Sequence, residues 1–275
     1  MTLRSVERVV RGQPASDGAG VRLNRVIGAP PLPQLDPFLL LDEFRSDSAA
    51  DYIAGFPDHP HRGFETVTYM LAGRMRHGDN QGNRGLLVPG SVQWMTAGRG
   101  IVHSEMPEQE DGLMQGFQLW VNLPAREKMT APRYQDIAPG DIPEVRSGDC
   151  VVRVIAGRFG GEEGPVRAAA TEPLYLDLRL QPTAALQIPL PAAHNAFVYV
   201  YEGSLEASGR RLAAGELAVL TRGDGLRLAA ASEGARCILV AGKPLEEPVV
   251  RYGPFVMNTA DEIRQAVEDY SAGRF

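Results

Sequence analysis

The chain has 275 residues and a formal charge of −6 at pH 7, its 28 Lys and Arg scattered among 34 Asp and Glu. That balance leaves no basic stripe able to neutralise a phosphate backbone, which excludes direct nucleic-acid binding. No apolar run reaches membrane-spanning length, and the opening stretch carries Arg4, Glu7, Arg8 and Arg11 where a signal peptide would be apolar, so a soluble, cytoplasmic, monomeric protein is expected.

Along the chain, 30 Gly and 21 Pro punctuate the sequence from end to end, a composition that favours short strands over helices. Strands are predicted at 66–71, 85–88, 92–96, 116–121, 151–156, 174–180, 196–202, 216–221, 226–230 and 237–242. Glu202-Gly203, Ser208-Gly209 and Arg222-Gly223-Asp224-Gly225 read as hairpin joints, because their residues tolerate positive φ. Pro124, Pro132, Pro139 and Pro143 interrupt any regular ladder between 124 and 148, so that segment reads as a connector with a boundary near 140. Two domains follow, 1–140 and 141–275. The clearest helix closes the sequence: Thr259 and Glu262 form a capping box, and Ile263, Ala266, Val267 and Tyr270 follow at helical spacing. Its apolar face is expected to pack back on a sheet.

The halves also share a pattern of strand, Gly turn, strand, Gly turn. Met70-Leu71-Ala72-Gly73 is matched by the run from Val198 to Gly203, and Val88 to Val92 by Ala213 to Leu217, as in a small β-barrel repeated twice. Only the first half carries His59-Pro60-His61 and His103-Ser104-Glu105. A spacing of two on an extended strand directs both side chains to one face, so two adjacent strands could aim all four groups at one point, a metal site. Pro60 lacks an N–H and suits an edge strand. Cys150 and Cys237 have no CxxC partners, so such a metal would see only nitrogen and oxygen, the donor set of iron, nickel, copper, manganese or zinc with open positions. Glu65 is a rival carboxylate with the same parity as the two histidines, unless Gly63 introduces a bulge. Its other reading is an ordinary strand residue paired with Arg62 or Arg99. His77 reads as a loop residue and His194 as a packed or solvent-facing one. Phe56, Met70, Trp94, Met95, Phe117 and Trp120 are an aromatic and apolar inventory, most of it core, with Phe56 and Met70 assigned to a substrate pocket. Arg62 and Arg99 are candidates to hold an anionic substrate group.

Three runs, FPDHPHRGFETVTYM from Phe56 to Met70, QWMTAGRGIVHSEMP from Gln93 to Pro107 and QLWVNLP from Gln118 to Pro124, resemble the pirin family, as does YGPFVMNT from Tyr252 to Thr259. The resemblance implies an all-β fold of two tandem cupin barrels (double-stranded β-helix, jelly-roll) with a C-terminal α-helix, the second barrel being degenerate. It also implies one divalent metal, iron(II) foremost, held by His59, His61, His103 and Glu105, and it favours Glu105 over Glu65. The implied activity is quercetin 2,3-dioxygenation: a flavonol binds through its 3-hydroxyl, Glu105 acts as base, and dioxygen opens the heterocycle with loss of carbon monoxide. Partners would be a small aromatic substrate and dioxygen. The alternatives are an iron-dependent redox sensor that binds a protein partner without turnover, and a binding module whose metal is structural only.

Overall fold

In the computed structural model, which describes residues 2–167 and 169–275, strands dominate and, among the described residues, a single α-helix, Ala260–Ser271, follows them. Among the described residues no helix is long and apolar enough to cross a membrane. The chain divides into two compact units.

The first unit contains Gly140–Pro244, Pro30–Pro37 and the segment up to Gly12. Its main sheet is built on two long neighbours, Asn195–Ala207 and Gly225–Gly242. The predicted strands 226–230 and 237–242 are parts of this one continuous strand. Glu202-Gly203 is not a hairpin joint: the register slips around it, so the positive φ of Gly203 makes a bulge inside a strand. Ser208 and Gly209, both at positive φ, do turn a hairpin, between Asn195–Ala207 and Arg210–Ala213. The interior is closed by apolar side chains including Val152, Leu176, Leu178, Val198, Leu226 and Leu239. The early strand Val6–Arg11 joins this sheet by pairing with Glu216–Leu220. It is anchored by fully buried Arg4, which donates to the carbonyls of Gly223, Thr221 and Pro191.

The second unit contains Gln13–Ala29, Phe38–Pro139 and Leu245–Phe275. A junction does fall at Pro139/Gly140, but the units differ from the linear division 1–140 and 141–275 in that both ends of the chain contribute to the opposite unit. One sheet of seven strands runs through Phe64–Ala72, Met114–Asn122 and Phe38–Ser46; a four-stranded sheet joins Phe56–His61, Ile101–Pro107, Met75–Asp79 and Arg84–Leu87. Fully buried Phe38, Leu41 and Phe117 each contribute about 2–3 kcal/mol by leaving water. Part of the predicted connector is ordered strand, Arg133–Ile137, paired with Val92–Thr96. The helix begins as predicted: Thr259 Oγ1 accepts from the Glu262 amide at 3.2 Å, and Glu262 Oε2 accepts from the Thr259 amide at 2.8 Å. Ile263 and Ala266 pack with Phe255, Met257 and Phe275, whereas Val267 and Tyr270 stay partly exposed.

Candidate metal and substrate site

The site lies in the four-stranded sheet of the second unit. His59 and His61 lie two apart on Phe56–His61, and the antiparallel neighbour Ile101–Pro107 sets His103 directly opposite His59. The three rings converge: one nitrogen from each lies within 4.8 Å of the others, with ring centroids 4.4 to 5.0 Å apart. Such a trio could hold a metal ion, and its chemistry fits one. Both nitrogens of His61 and of His103 are buried with no properly angled hydrogen bond; the Pro254 carbonyl approaches His61 closely enough to oppose its pKa shift, not to satisfy the ring. Burial, then the neighbouring histidines, hold the pKa of both rings well below the usual value, so both are neutral and carry the lone pair that a metal needs. His59 Nδ1 donates to the Pro57 carbonyl at 2.8 Å in the tautomer that leaves Nε2 free.

Glu105 is placed differently. The register slips between His103 and Glu105, which pairs with Phe56 on one side and His77 on the other, so the carboxylate is not a member of the tight trio. It is buried and shares the cavity, where Thr68 Oγ1 lies 2.8 Å from Oε1 and Gln118 Nε2 donates to Oε2 at 3.1 Å. Thr68 and Gln118 face each other across adjacent strands. Neither is among the residues singled out by sequence, and nothing in the pattern separates them from the other polar residues of the same strands, Glu65, Thr66, Gln115 and Asn122. Thr68 Oγ1 is also 2.6 Å from Gln118 Oε1, so its single proton has two acceptors.

Glu65 is excluded from this group by Gly63. With φ of +89°, Gly63 separates Phe56–His61 from Phe64–Ala72, and the two strands enter different sheets. A Cβ at Gly63 would come within 2.0 Å of the Val256 carbonyl oxygen, so this turn requires glycine. Glu65 is buried against Thr96, whose hydroxyl donates to it at 2.6 Å, and burial raises its pKa. His77 is a strand residue rather than a loop residue; its ring stacks on Tyr134 and lies 3.5 Å from Asp136. His194 lies in the other unit, buried, with burial lowering its pKa. Arg62 is committed to Asp269 at 2.7 Å and to the Arg99 carbonyl, Arg99 is exposed on a Gly-flanked turn, and neither lines the cavity beside the histidines.

A cavity of about 570 Å³ opens onto His59 and His61, lined also by Phe56, Leu40, Phe44, Met75, Trp120, Thr68, Glu105, Gln118, Arg251 and their neighbours. Phe56 is one of these lining residues. Met70 is not: it shares the inward face with Thr68, but it packs fully buried in a core cluster with Phe44, Met75 and Met114. Trp120 is the aromatic wall, its ring 5.3 Å from His61 and 4.4 Å from Phe64.

The pirin family model matches residues 20–121, and the model of the pirin C-terminal cupin domain matches 175–275. A Pseudomonas aeruginosa protein provisionally named quercetin 2,3-dioxygenase is 55% identical, covering 98% of this chain and 97% of its own. Human pirin is 42% identical, covering 97% of this chain and 92% of its own. A crystal structure titled quercetin 2,3-dioxygenase, from Acinetobacter baumannii, superposes with a TM-score of 0.92 at 34% identity, covering 99% of this chain and 98% of that one. Two cupin units in tandem, a histidine trio in one and an apolar filling in the other, together with these relatives, make this chain a member of the pirin family.

Proposed function

We propose that the protein is a metal-dependent dioxygenase acting on quercetin or a related flavonol. The observation that carries this reading is the 570 Å³ cavity lined by His59, His61 and the buried Glu105, with His103 grouped beside the two histidines and Trp120 as an aromatic wall. His59, His61 and His103 are the ligands for one divalent ion, iron(II) foremost, and Glu105, outside the tight trio but lining the same cavity, is the fourth candidate. When bound, that ion supplies a Lewis acid for a chelating hydroxyl and a route for electrons between substrate and dioxygen. Phe56, Leu40 and Trp120 sandwich a planar ring system and exclude water.

Glu105 is the base for the flavonol 3-hydroxyl, and its partners accept either state. As a carboxylate, Oε1 accepts the Thr68 proton. Once protonated, Oε1 donates to Thr68 Oγ1, and Thr68 redirects its own proton to Gln118 Oε1. The names borne by the Pseudomonas and Acinetobacter relatives support this choice of substrate.

Oxygen uptake and carbon monoxide release by iron-loaded protein with quercetin test the reading. Uptake that disappears in His59→Ala and Glu105→Gln supports it; iron-loaded wild type without turnover on a flavonol panel overturns it.

A further inference from the structure

Arg251 lines the cavity beside the trio, yet nothing in the dioxygenase reading employs it. It comes from the short strand Val250–Tyr252, and its guanidinium lies 4.6 Å over the ring of Trp120, the same ring that packs against His61. The side chain is exposed at the cavity edge, so it is open to an incoming molecule. Its protein contacts are weak for a cation: Nε to the Gly253 carbonyl at 3.4 Å and Nη1 to the Leu39 carbonyl at 3.5 Å, both at the far limit of a hydrogen bond.

Two carboxylates of the same cavity, Asp42 and Asp17, act on the guanidinium through their charge but make their hydrogen bonds elsewhere. Asp42 holds Arg25 with both oxygens, at 2.9 and 2.7 Å. Asp17 gives one oxygen to the same Arg25 and the other to the Gly18 amide, each at 2.8 Å. Among the described residues none forms an ion pair with Arg251. A guanidinium has five donors in a planar fork, and here most of them are left to solvent or ligand above an aromatic face.

We propose that Arg251 is the specificity-determining residue of the cavity, selecting planar aromatic chelators that carry a negative charge away from their metal-binding oxygens. This rests on the reading of the cavity as a metal-chelating aromatic site. A ring system chelating at the trio and lying along Trp120 brings its far substituent under the guanidinium, where a carboxylate, sulfonate or phenolate gains a charge-assisted contact and a neutral group does not.

The test uses one pair of ligands matched in shape and differing in charge, 3,4-dihydroxybenzoate against 3,4-dihydroxybenzamide, and a second pair in which a charged group is added, quercetin-5′-sulfonate against quercetin. Binding to nickel-loaded full-length protein is read by fluorescence quenching under nitrogen, so that no turnover intervenes. Wild type is expected to favour the anionic member of at least one pair about fivefold more than Arg251→Gln does, the size of a partly exposed charge pair. Arg251→Lys retains part of that preference. An unchanged preference in Arg251→Gln overturns the proposal, as does an equal loss for charged and neutral ligands, which would leave only stacking on Trp120, or a lysine variant as indifferent as glutamine. Charge preference without oxygen uptake sinks the dioxygenase and leaves this proposal standing; turnover with no Arg251-dependent preference does the reverse.

Discussion

A hydroxyl has one proton to give, and that limits what surrounds Glu105. Because Thr68 can serve either Glu105 or Gln118, Glu105→Gln is expected to lower kcat about 100-fold or more by removing the base, while the three histidines keep their metal. Oxygen uptake measured alongside metal content checks both halves; metal lost in proportion to activity would recast Glu105 as chiefly a ligand. Lys128 is another buried polar residue with a defined task. Its Nζ donates to the Gly63 carbonyl at 2.7 Å, Asn122 Oδ1 at 2.7 Å and the Val256 carbonyl at 3.0 Å, joining the turn after His61 to the chain's closing segment. Lys128→Met leaves three acceptors unmatched and should cost about 3 kcal/mol in urea denaturation. Burial brings the Lys128 ammonium down to about 8. Between pH 8 and the unfolded lysine value near 10.4 the folded chain therefore binds fewer protons than the unfolded one, and raising the pH favours folding. The stability advantage of wild type over Lys128→Met should accordingly widen from pH 8 to 10, and a constant difference over that range would refute the shift.

At the scale of elements, the closing segment braces the strand that carries two of the histidines. The Arg62 amide donates to the Pro254 carbonyl and the Val256 amide to the Arg62 carbonyl, at 3.3 and 3.0 Å. The Arg62 guanidinium pairs with Asp269 of the helix and lies 4.3 Å over the Phe275 ring. Asn80 ties the second ligand strand to the same place, donating to the Phe275 carbonyl while its side-chain oxygen accepts from the Val102 amide. Hydrogen bonds from Arg62 and Arg274 hold the Asp269 carboxyl well below the usual carboxylate range, so its contribution is present above about pH 4 and fades as the pH drops below that. Asp269→Asn should lower both the melting temperature and the affinity for nickel, because the strand that presents His59 and His61 loses a restraint. A melting temperature that falls with no change in nickel affinity would confine the brace to stability. Thr259→Ala, at the cap of the same helix, should cost about 1 kcal/mol.

For the whole molecule, metal stoichiometry follows from which unit holds polar groups in its interior. Among the described residues the one cluster of potential ligands is His59, His61 and His103. The corresponding interior of the other unit is filled by leucine, valine and alanine. Elemental analysis of loaded protein should therefore find about one ion per chain. Because a ligand that binds only the folded state stabilises it by mass action, nickel at 100 times its Kd should add about 2.7 kcal/mol and chelation should remove it. A calorimetric scan with and without chelator measures this, and an unchanged midpoint would argue against a site that forms on folding.

The sequence by itself determined the β class, the capped helix and the pairing of His59 with His61, because strand periodicity, capping chemistry and a spacing of two are local properties that neighbours in the chain settle. It also pointed to Phe56 and His103. Only the tertiary structure decided the rest. Whether Met70 or Trp120 faces the cavity depends on which residues of other strands cover them, and Met70 is covered by Phe44, Met75 and Met114. Glu65 parts from the histidines because its strand joins a different sheet after Gly63. Glu105 departs from its period-two partner through a slip in register with the facing strand. Arg251, more than 140 residues from the nearest histidine of the trio, reaches the cavity only because the closing segment belongs to the same compact unit as the trio. Contacts between residues so distant in sequence leave no local pattern, since each residue's own spacing and propensity are the same whether or not its partner arrives.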